Sequence, residues 1–299
     1  MEPRPHKLTQ PDTLATHGAL NFTTADARHL RGALFTADAP IGAVLINSAT
    51  AVPQRYYQRF ATFLAANGLT TMTYDYRGIG VSRVGSLRES PATMSDWGAR
   101  DFPAALRALR EAAPGLPVAL IGHSFGGQAV GLCDEAATLD AIMFVAAQSG
   151  YWGHWPMLQR HKMRALWTLV LPAAVGAWGY LPGRLGIGED MPGEAALQWS
   201  RWSNHRDYLV SEVGGAALDR FAALEMPRLA YTITDDAYAP PAAVDALLGW
   251  MPQDGLARRL VAPRDLGVPA IGHFGFFRQP FAPTLWQEAL TFLRASLTR

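Results

Sequence analysis

Short apolar runs alternate with helical patterns along most of this chain, and that alternation limits the fold more than any other feature. Residues 42–47, 69–74, 118–121, 141–147, 228–234 and 257–261 read as strands. The continuous apolar runs among them, such as 118–121 and 141–147, suit strands buried on both faces. Helical patterns cover 54–66, 95–112, 128–137, 241–250 and 283–297. Asn67-Gly68 closes the first of these as a left-handed cap, and Pro114-Gly115 stops the second, which carries Pro103 near its start. Two earlier runs, 17–23 and 28–35, are expected to open the fold as an antiparallel pair. Strands alternating with helices imply an α/β fold with a mostly parallel sheet covered on both faces.

One junction in this pattern carries chemistry. The run 118–121 ends in Gly122-His123-Ser124-Phe125-Gly126-Gly127, and a helical pattern follows. A G-x-S-x-G pentapeptide is weak alone, but between a strand and a helix it becomes a nucleophile elbow. Its serine sits in a strained turn with the hydroxyl exposed at the end of the sheet. Glycines on both sides let strand and helix approach without a Cβ clash. The Phe125 N–H, at a helix N-terminus, faces developing negative charge. His123 lies inside the turn and is expected to point away from the serine.

A serine nucleophile needs a base, and His273 in Ile271-Gly272-His273-Phe274-Gly275 is the best placed of eight histidines. It follows the last strand and precedes the last helix, so it can reach the carboxyl edge. The imidazole needs an orienting carboxylate. Asp235 and Asp236 end the strand 228–234 ahead of Pro240. The spacing to Pro240 favours Asp236, with Asp235 as the alternative or as a cap of the local turn. The second oxyanion donor is expected from Ser48-Ala49-Thr50-Ala51 after the strand 42–47, from either Ala49 or Thr50. Asp75-Tyr76-Arg77-Gly78-Ile79-Gly80 reads as a structural turn, because Asp75 precedes the elbow in the chain.

Between 150 and 215 the alternation stops, and six of the nine tryptophans fall there. This reads as an inserted helical cap over the carboxyl edge, where open α/β sheets bind ligands. Trp152, His154, Trp155, Trp199, Trp202 and, from the core, Tyr238 are the expected pocket residues. The cap divides the core into 16–149 and 216–299, behind a lead-in over 1–15 that is expected to be disordered. Residues 165–183 are uncharged and long enough to cross a membrane, but Pro172, Gly176, Gly179 and Pro182 interrupt them. Two short apolar helices are the expectation.

Composition closes off other classes. A net charge of +1 with no basic run argues against nucleic acid. No P-loop, dinucleotide fingerprint or metal-ligand cluster appears, so no cofactor or metal is expected. The lone Cys133 precludes an internal disulfide and suits a reducing, cytoplasmic setting. It is placed on the helix after the elbow as a buried thiol.

Taken in order, D-Y-R-G-I-G-V-S at 75–82, G-H-S-F-G-G at 122–127, D-D-A-Y-A-P at 235–240 and G-H-F-G-F-F at 272–277 resemble the α/β-hydrolase superfamily. More narrowly, the chain looks like the serine-aminopeptidase-like hydrolases of bacteria. Asn47-Ser48-Ala49-Thr50 stands where many members carry His-Gly in the oxyanion loop. The resemblance implies a triad of Ser124, Asp236 and His273, with Phe125 and Ala49 or Thr50 as oxyanion donors. A Trp-rich cap favours an apolar carboxylic ester, lipid-like esters among them, cleaved through an acyl-enzyme on Ser124. The same triad serves amide, thioester or carbon–carbon cleavage and acyl transfer. A non-catalytic receptor is the rival outside enzymology. Oligomeric state is open.

Overall fold

A computed structural model describes residues 17–298. The expected lead-in over 1–15, with His6, lies outside the described residues. Eight strands form one sheet: β1 (His17–Thr23), β2 (His29–Phe35), β3 (Gly42–Asn47), β4 (Leu69–Tyr74), β5 (Val118–His123), β6 (Ala141–Val145), β9 (Arg228–Ile233) and β10 (Leu256–Val261). Their order is β1-β2-β4-β3-β5-β6-β9-β10. β1, β2 and β4 pair antiparallel, and every pairing from β4 to β10 is parallel. The expected opening pair, His17–Thr23 against His29–Phe35, is present.

The period-2 geometry of a strand sorts side chains onto two faces. Leu45, Met72, Leu120, Ile142 and Phe144 enter one hydrophobic cluster. Val44, Ile46, Ile121, Met143 and Val145 enter the other. Both faces are therefore buried, which suits the apolar runs of β3, β5 and β6. The helices Gln58–Ala66 and Leu285–Leu297 cover the second face with Phe60, Leu64, Trp286 and Leu293. The first face is covered by the helix Phe102–Ala112 and by residues of the inserted segment.

β3 lies between β4 and β5, so the connections after β3 and β5 leave in opposite directions. This is a topological switch point, where the ends of neighbouring strands leave a crevice. Ser48 to Ala51 follow β3 there, and Ser124 follows β5.

Several local readings differ from the expectation. The run 95–112 is helical but passes through a π turn, Trp97–Asp101, in which the Phe102 N–H reaches the Trp97 carbonyl. The same occurs at Leu166–Val170, where the Leu171 N–H reaches the Leu166 carbonyl. Each π turn precedes a proline by one residue, Pro103 and Pro172. A proline has no N–H to give and clashes with the carbonyl four residues back, so the helix widens before it. Residues 165–183 are consequently not two separate helices. Most of them form the second half of one helical run, Met157–Ala165 through Leu171–Trp178, closed by Gly179 at φ 76°. No helix among the described residues is long and apolar enough to cross a membrane.

The helix after the elbow starts earlier and is shorter than expected. It runs Phe125–Gln128, tightens to a 3-10 turn over Ala129–Leu132 and breaks at Cys133. Cys133 is buried but extended, between two 3-10 turns rather than on a helix. Glycines at 126, 127 and 131 weaken helix propensity here. The segment from 150 to 215 also holds a two-stranded ribbon, β7 (Tyr180–Leu181) and β8 (Met191–Pro192), before the helix Gly193–Asn204.

Candidate active site

Ser124 occupies φ 52°, ψ −117°, a backbone region that non-glycine residues avoid. Neighbours hold it there. The Ser124 N–H donates to the Val145 carbonyl at 3.0 Å, tying the turn to β6. A Cβ on Gly126 would stand 2.2 Å from the Asn47 carbonyl oxygen, and one on Gly122 would stand 2.5 Å from the Gly127 Cα. Only hydrogen fits in either place, so the pentapeptide's glycines are required by packing on both sides of the serine.

His273 begins no long helix. It lies in the single turn Gly272–Gly275, buried. Its Nδ1 is 2.7 Å from Asp236 Oδ2. Asp236 Oδ1 accepts from the backbone N–H groups of Tyr238 at 2.7 Å and Ala239 at 2.9 Å. Asp235 turns elsewhere. Its carboxylate accepts from the N–H groups of Ile271 at 2.9 Å and Gly272 at 3.1 Å. The two neighbouring aspartates thus divide the work: one meets the imidazole, the other anchors the loop that carries it.

His123 does point away from the cavity, and it has a defined task. One ring nitrogen, Nε2, is 2.9 Å from the His273 carbonyl oxygen. A carbonyl only accepts, so Nε2 carries the proton. Nδ1 then accepts from the Tyr57 hydroxyl at 2.8 Å. The Tyr57 oxygen in turn accepts from the Ala49 N–H at 2.9 Å. Burial lowers the His123 pKa well below its ordinary value, which keeps the ring neutral. A chain of three hydrogen bonds therefore joins the loop after β3, the elbow and the backbone of His273. Sequence reasoning placed His123 but missed Tyr57, since no local pattern marks a partner 66 residues away.

The loop after β3 offers two candidate donors, and their amides differ. The Ala49 N–H is taken by Tyr57. The Thr50 N–H has no acceptor among the described residues, and the Phe125 N–H opens a helix where no intrahelical acceptor exists. Asp75 lies outside the cavity. Its carboxylate accepts from the N–H groups of Gln54 at 2.6 Å and Val81 at 2.9 Å. Arg77 bonds to Asp101 and Asp26 instead, so Asp75 and Arg77 organise this turn separately.

Ser124, His273, Ala49 and Thr50 share one cavity of about 40 Å³. Trp155, Trp199 and Tyr238 line it, as do Trp167, Met163, Leu166, Ile187 and Phe274. No acidic, lysine or arginine side chain among the described residues does. Trp155 Nε1 donates to the Ala237 carbonyl at 2.8 Å and Gln148 Nε2 to the Tyr238 carbonyl at 3.2 Å, pinning the loop that bears Asp236. Three expected pocket residues lie elsewhere. Trp202 is fully buried against Tyr208, ring centroids 5.7 Å apart. Trp152 packs on Tyr151 and under Arg164, and His154 meets Tyr151 edge-on. Trp199 and Trp202 sit three residues apart on one helix, yet only the former lines the cavity, while Trp202 is spent on the core. No group of three or more metal-ligating side chains gathers among the described residues.

Residues 38–182 match the family described as serine aminopeptidase, S33. No curated protein matches the sequence. Among solved structures, the chain is similar to the alpha/beta hydrolase GrgF from Penicillium sp. sh18, with 18% identity, 95% of this chain and 100% of that chain covered, and a TM-score of 0.62. An esterase of Pyrococcus furiosus aligns at 15% identity over 99% of this chain and 97% of its own, TM-score 0.62. A thermophilic esterase from Thermogutta terrifontis aligns at 16% identity over 94% and 100%, TM-score 0.59. With the sheet order, the elbow after β5 and these matches, the chain has the α/β-hydrolase fold.

Proposed function

We propose that this protein is a serine hydrolase that cleaves an apolar carboxylic ester through an acyl-enzyme on Ser124. The observation that carries the reading is the convergence, in one largely apolar cavity, of a serine on a strained turn with a histidine bonded to a buried carboxylate. His273 Nε2 takes the hydroxyl proton as Ser124 Oγ attacks the ester carbonyl. Asp236 holds the opposite nitrogen protonated and stabilises the imidazolium. The oxyanion is met by the N–H groups of Phe125 and Thr50, because the Ala49 amide is already engaged by Tyr57. Collapse expels the alcohol with the proton from His273. Water, deprotonated by the same ring, then releases the carboxylic acid.

The insertion over 150–215 serves as a cap that shapes the substrate. Its contribution to the cavity is aromatic and aliphatic, which suits an uncharged acyl group. Two of the similar structures are esterases, which supports an ester over a peptide bond.

The test is fluorophosphonate labelling of the wild type beside Ser124→Ala and His273→Ala, with mass spectrometry of the labelled peptide. Labelling at Ser124 that is lost in the first variant and sharply reduced in the second supports the reading. A panel of esters, amides and thioesters then assigns the bond. A folded wild type that takes no label overturns it.

A further inference from the structure

The helical run from Met157 to Trp178 has two faces. Its inner face carries Met163, Leu166 and Trp167 to the cavity. Its outer face leaves large apolar side chains in solvent: Met157 is 76% exposed, Leu158 81%, Leu169 66% and Val170 45%. These four belong to one helical run, whereas isolated exposed apolar residues elsewhere on a surface are ordinary. Leu158 and Lys162 lie one turn apart and exposed on the first half of the run, and Leu169 and Val170 stand exposed in the π turn that follows.

The charge of this region is as uneven as its hydrophobicity. Between Asp140 and Glu189 the chain has no acidic residue, but it has Arg160, Lys162, Arg164 and Arg184. That stretch carries +4, while the whole chain carries +1. None of the four cations forms an ion pair among the described residues, whereas Arg77, Arg100, Arg107, Arg201 and Arg220 all do. Arg164 and Arg184 instead lie over the rings of Trp152 and Trp178, at 5.4 and 4.8 Å. Leu185, beside Arg184, is also exposed. An apolar face flanked by unneutralised cations is the pattern of a helix that lies in the plane of an anionic interface.

We infer that the outer face of this helical run docks onto an anionic lipid bilayer. Leu158, Leu169 and Val170 enter the boundary between headgroups and acyl chains, while Lys162, Arg164 and Arg184 meet the headgroup charge. The docked helix is the one whose inner face lines the cavity, so the surface would hold apolar esters beside that cavity. Docking itself does not depend on the bond that Ser124 attacks.

The experiment is flotation of the Ser124→Ala protein with vesicles of phosphatidylcholine alone and of phosphatidylcholine with phosphatidylglycerol, at low and raised salt. Using this variant keeps the result separate from turnover and from the hydrolase reading. The expected result is co-flotation with the phosphatidylglycerol vesicles that weakens as salt rises. Lys162→Glu with Arg164→Glu lowers partitioning at least roughly 25-fold, at about fivefold for each cation near an anionic surface. Leu158→Ser with Leu169→Ser lowers it further at raised salt. In the Ser124→Ala background, both pairs keep their melting temperature, so an unfolded variant is recognised as such. Binding that neither pair diminishes, or no binding by the folded protein, overturns the inference. So does a dimer that the leucine pair converts to monomer, since a second copy would then be the occupant of the face.

Discussion

On the sheet side of the cavity, Asp236 accepts three hydrogen bonds and His123 takes part in two. On the insertion side, Met163, Leu166, Trp167, Ile187 and Trp199 present mostly carbon to the same space. Directional bonds position atoms to within a few tenths of an ångström, which proton transfer and attack require. Apolar contact fills volume but tolerates exchange of one side chain for another of similar size. On the proposed reading, the chemistry is held by the directionally bonded half, and selection of the substrate falls to the adaptable half.

This contrast can be broken first at its strongest point. Asp236→Asn is expected to lower kcat by about 10²–10⁴-fold, because the imidazole loses the partner that sets its tautomer. Asp235→Asn weakens only the anchoring of Ile271 and Gly272 and costs far less. Equal losses in steady-state assays of the two would contradict the division between them.

Gly126→Ala tests the elbow's packing. A methyl group 2.2 Å from the Asn47 carbonyl forces β3 and the turn apart, at about 1–3 kcal/mol or more. Chemical denaturation measures it. Stability equal to wild type would mean that the elbow yields.

His123→Gln breaks the chain linking Tyr57 to His273. The expected effect is a loss of about 1–3 kcal/mol from leaving buried groups unpaired, with kcat falling more than KM changes. A pH series sharpens this. Native His123 is neutral, while in the unfolded chain it takes up a proton below about pH 6.5. Unfolding then binds protons, so stability falls as pH drops below that value, and the variant should show a shallower fall. An unchanged slope in urea melts between pH 5 and 7 would remove His123 from the account.

The smallest effect belongs to the adaptable half. Trp199→Leu should raise KM for long-chain esters by about tenfold, at roughly 1–2 kcal/mol of lost apolar contact, and leave acetate esters nearly unchanged. Equal effects on both chain lengths would show that Trp199 supports the fold rather than the substrate.

Much of the architecture was legible because it rests on local pattern. β3 begins and ends where its apolar run does, since a strand buried on both faces leaves few polar interior positions, whereas β4 carries Thr70, Thr71 and Thr73 and reads as a strand through their β-branched side chains. The glycines around Ser124 announced close approach. The π turns were not legible, although Pro103 and Pro172 were in plain view: a proline says that an N–H is missing, not how the helix accommodates the loss. The six tryptophans of the insertion marked an aromatic region without sorting Trp155, Trp167 and Trp199 from Trp152 and Trp202, because hydrophobicity alone does not separate a cavity wall from a core.

From the sequence alone come the alternation that makes a parallel sheet, the elbow at 122–126, the chain order of serine, carboxylate and histidine, and an acid-free stretch between Asp140 and Glu189. These are properties of neighbouring residues and of composition, so they need no folded chain to be read. Which aspartate meets His273, which amide Tyr57 takes from the loop after β3, and which faces of the cap helices look inward were decided by tertiary structure. Each depends on groups far apart in the chain that meet only when the sheet has closed, and on the helical phase with which the insertion settles over it.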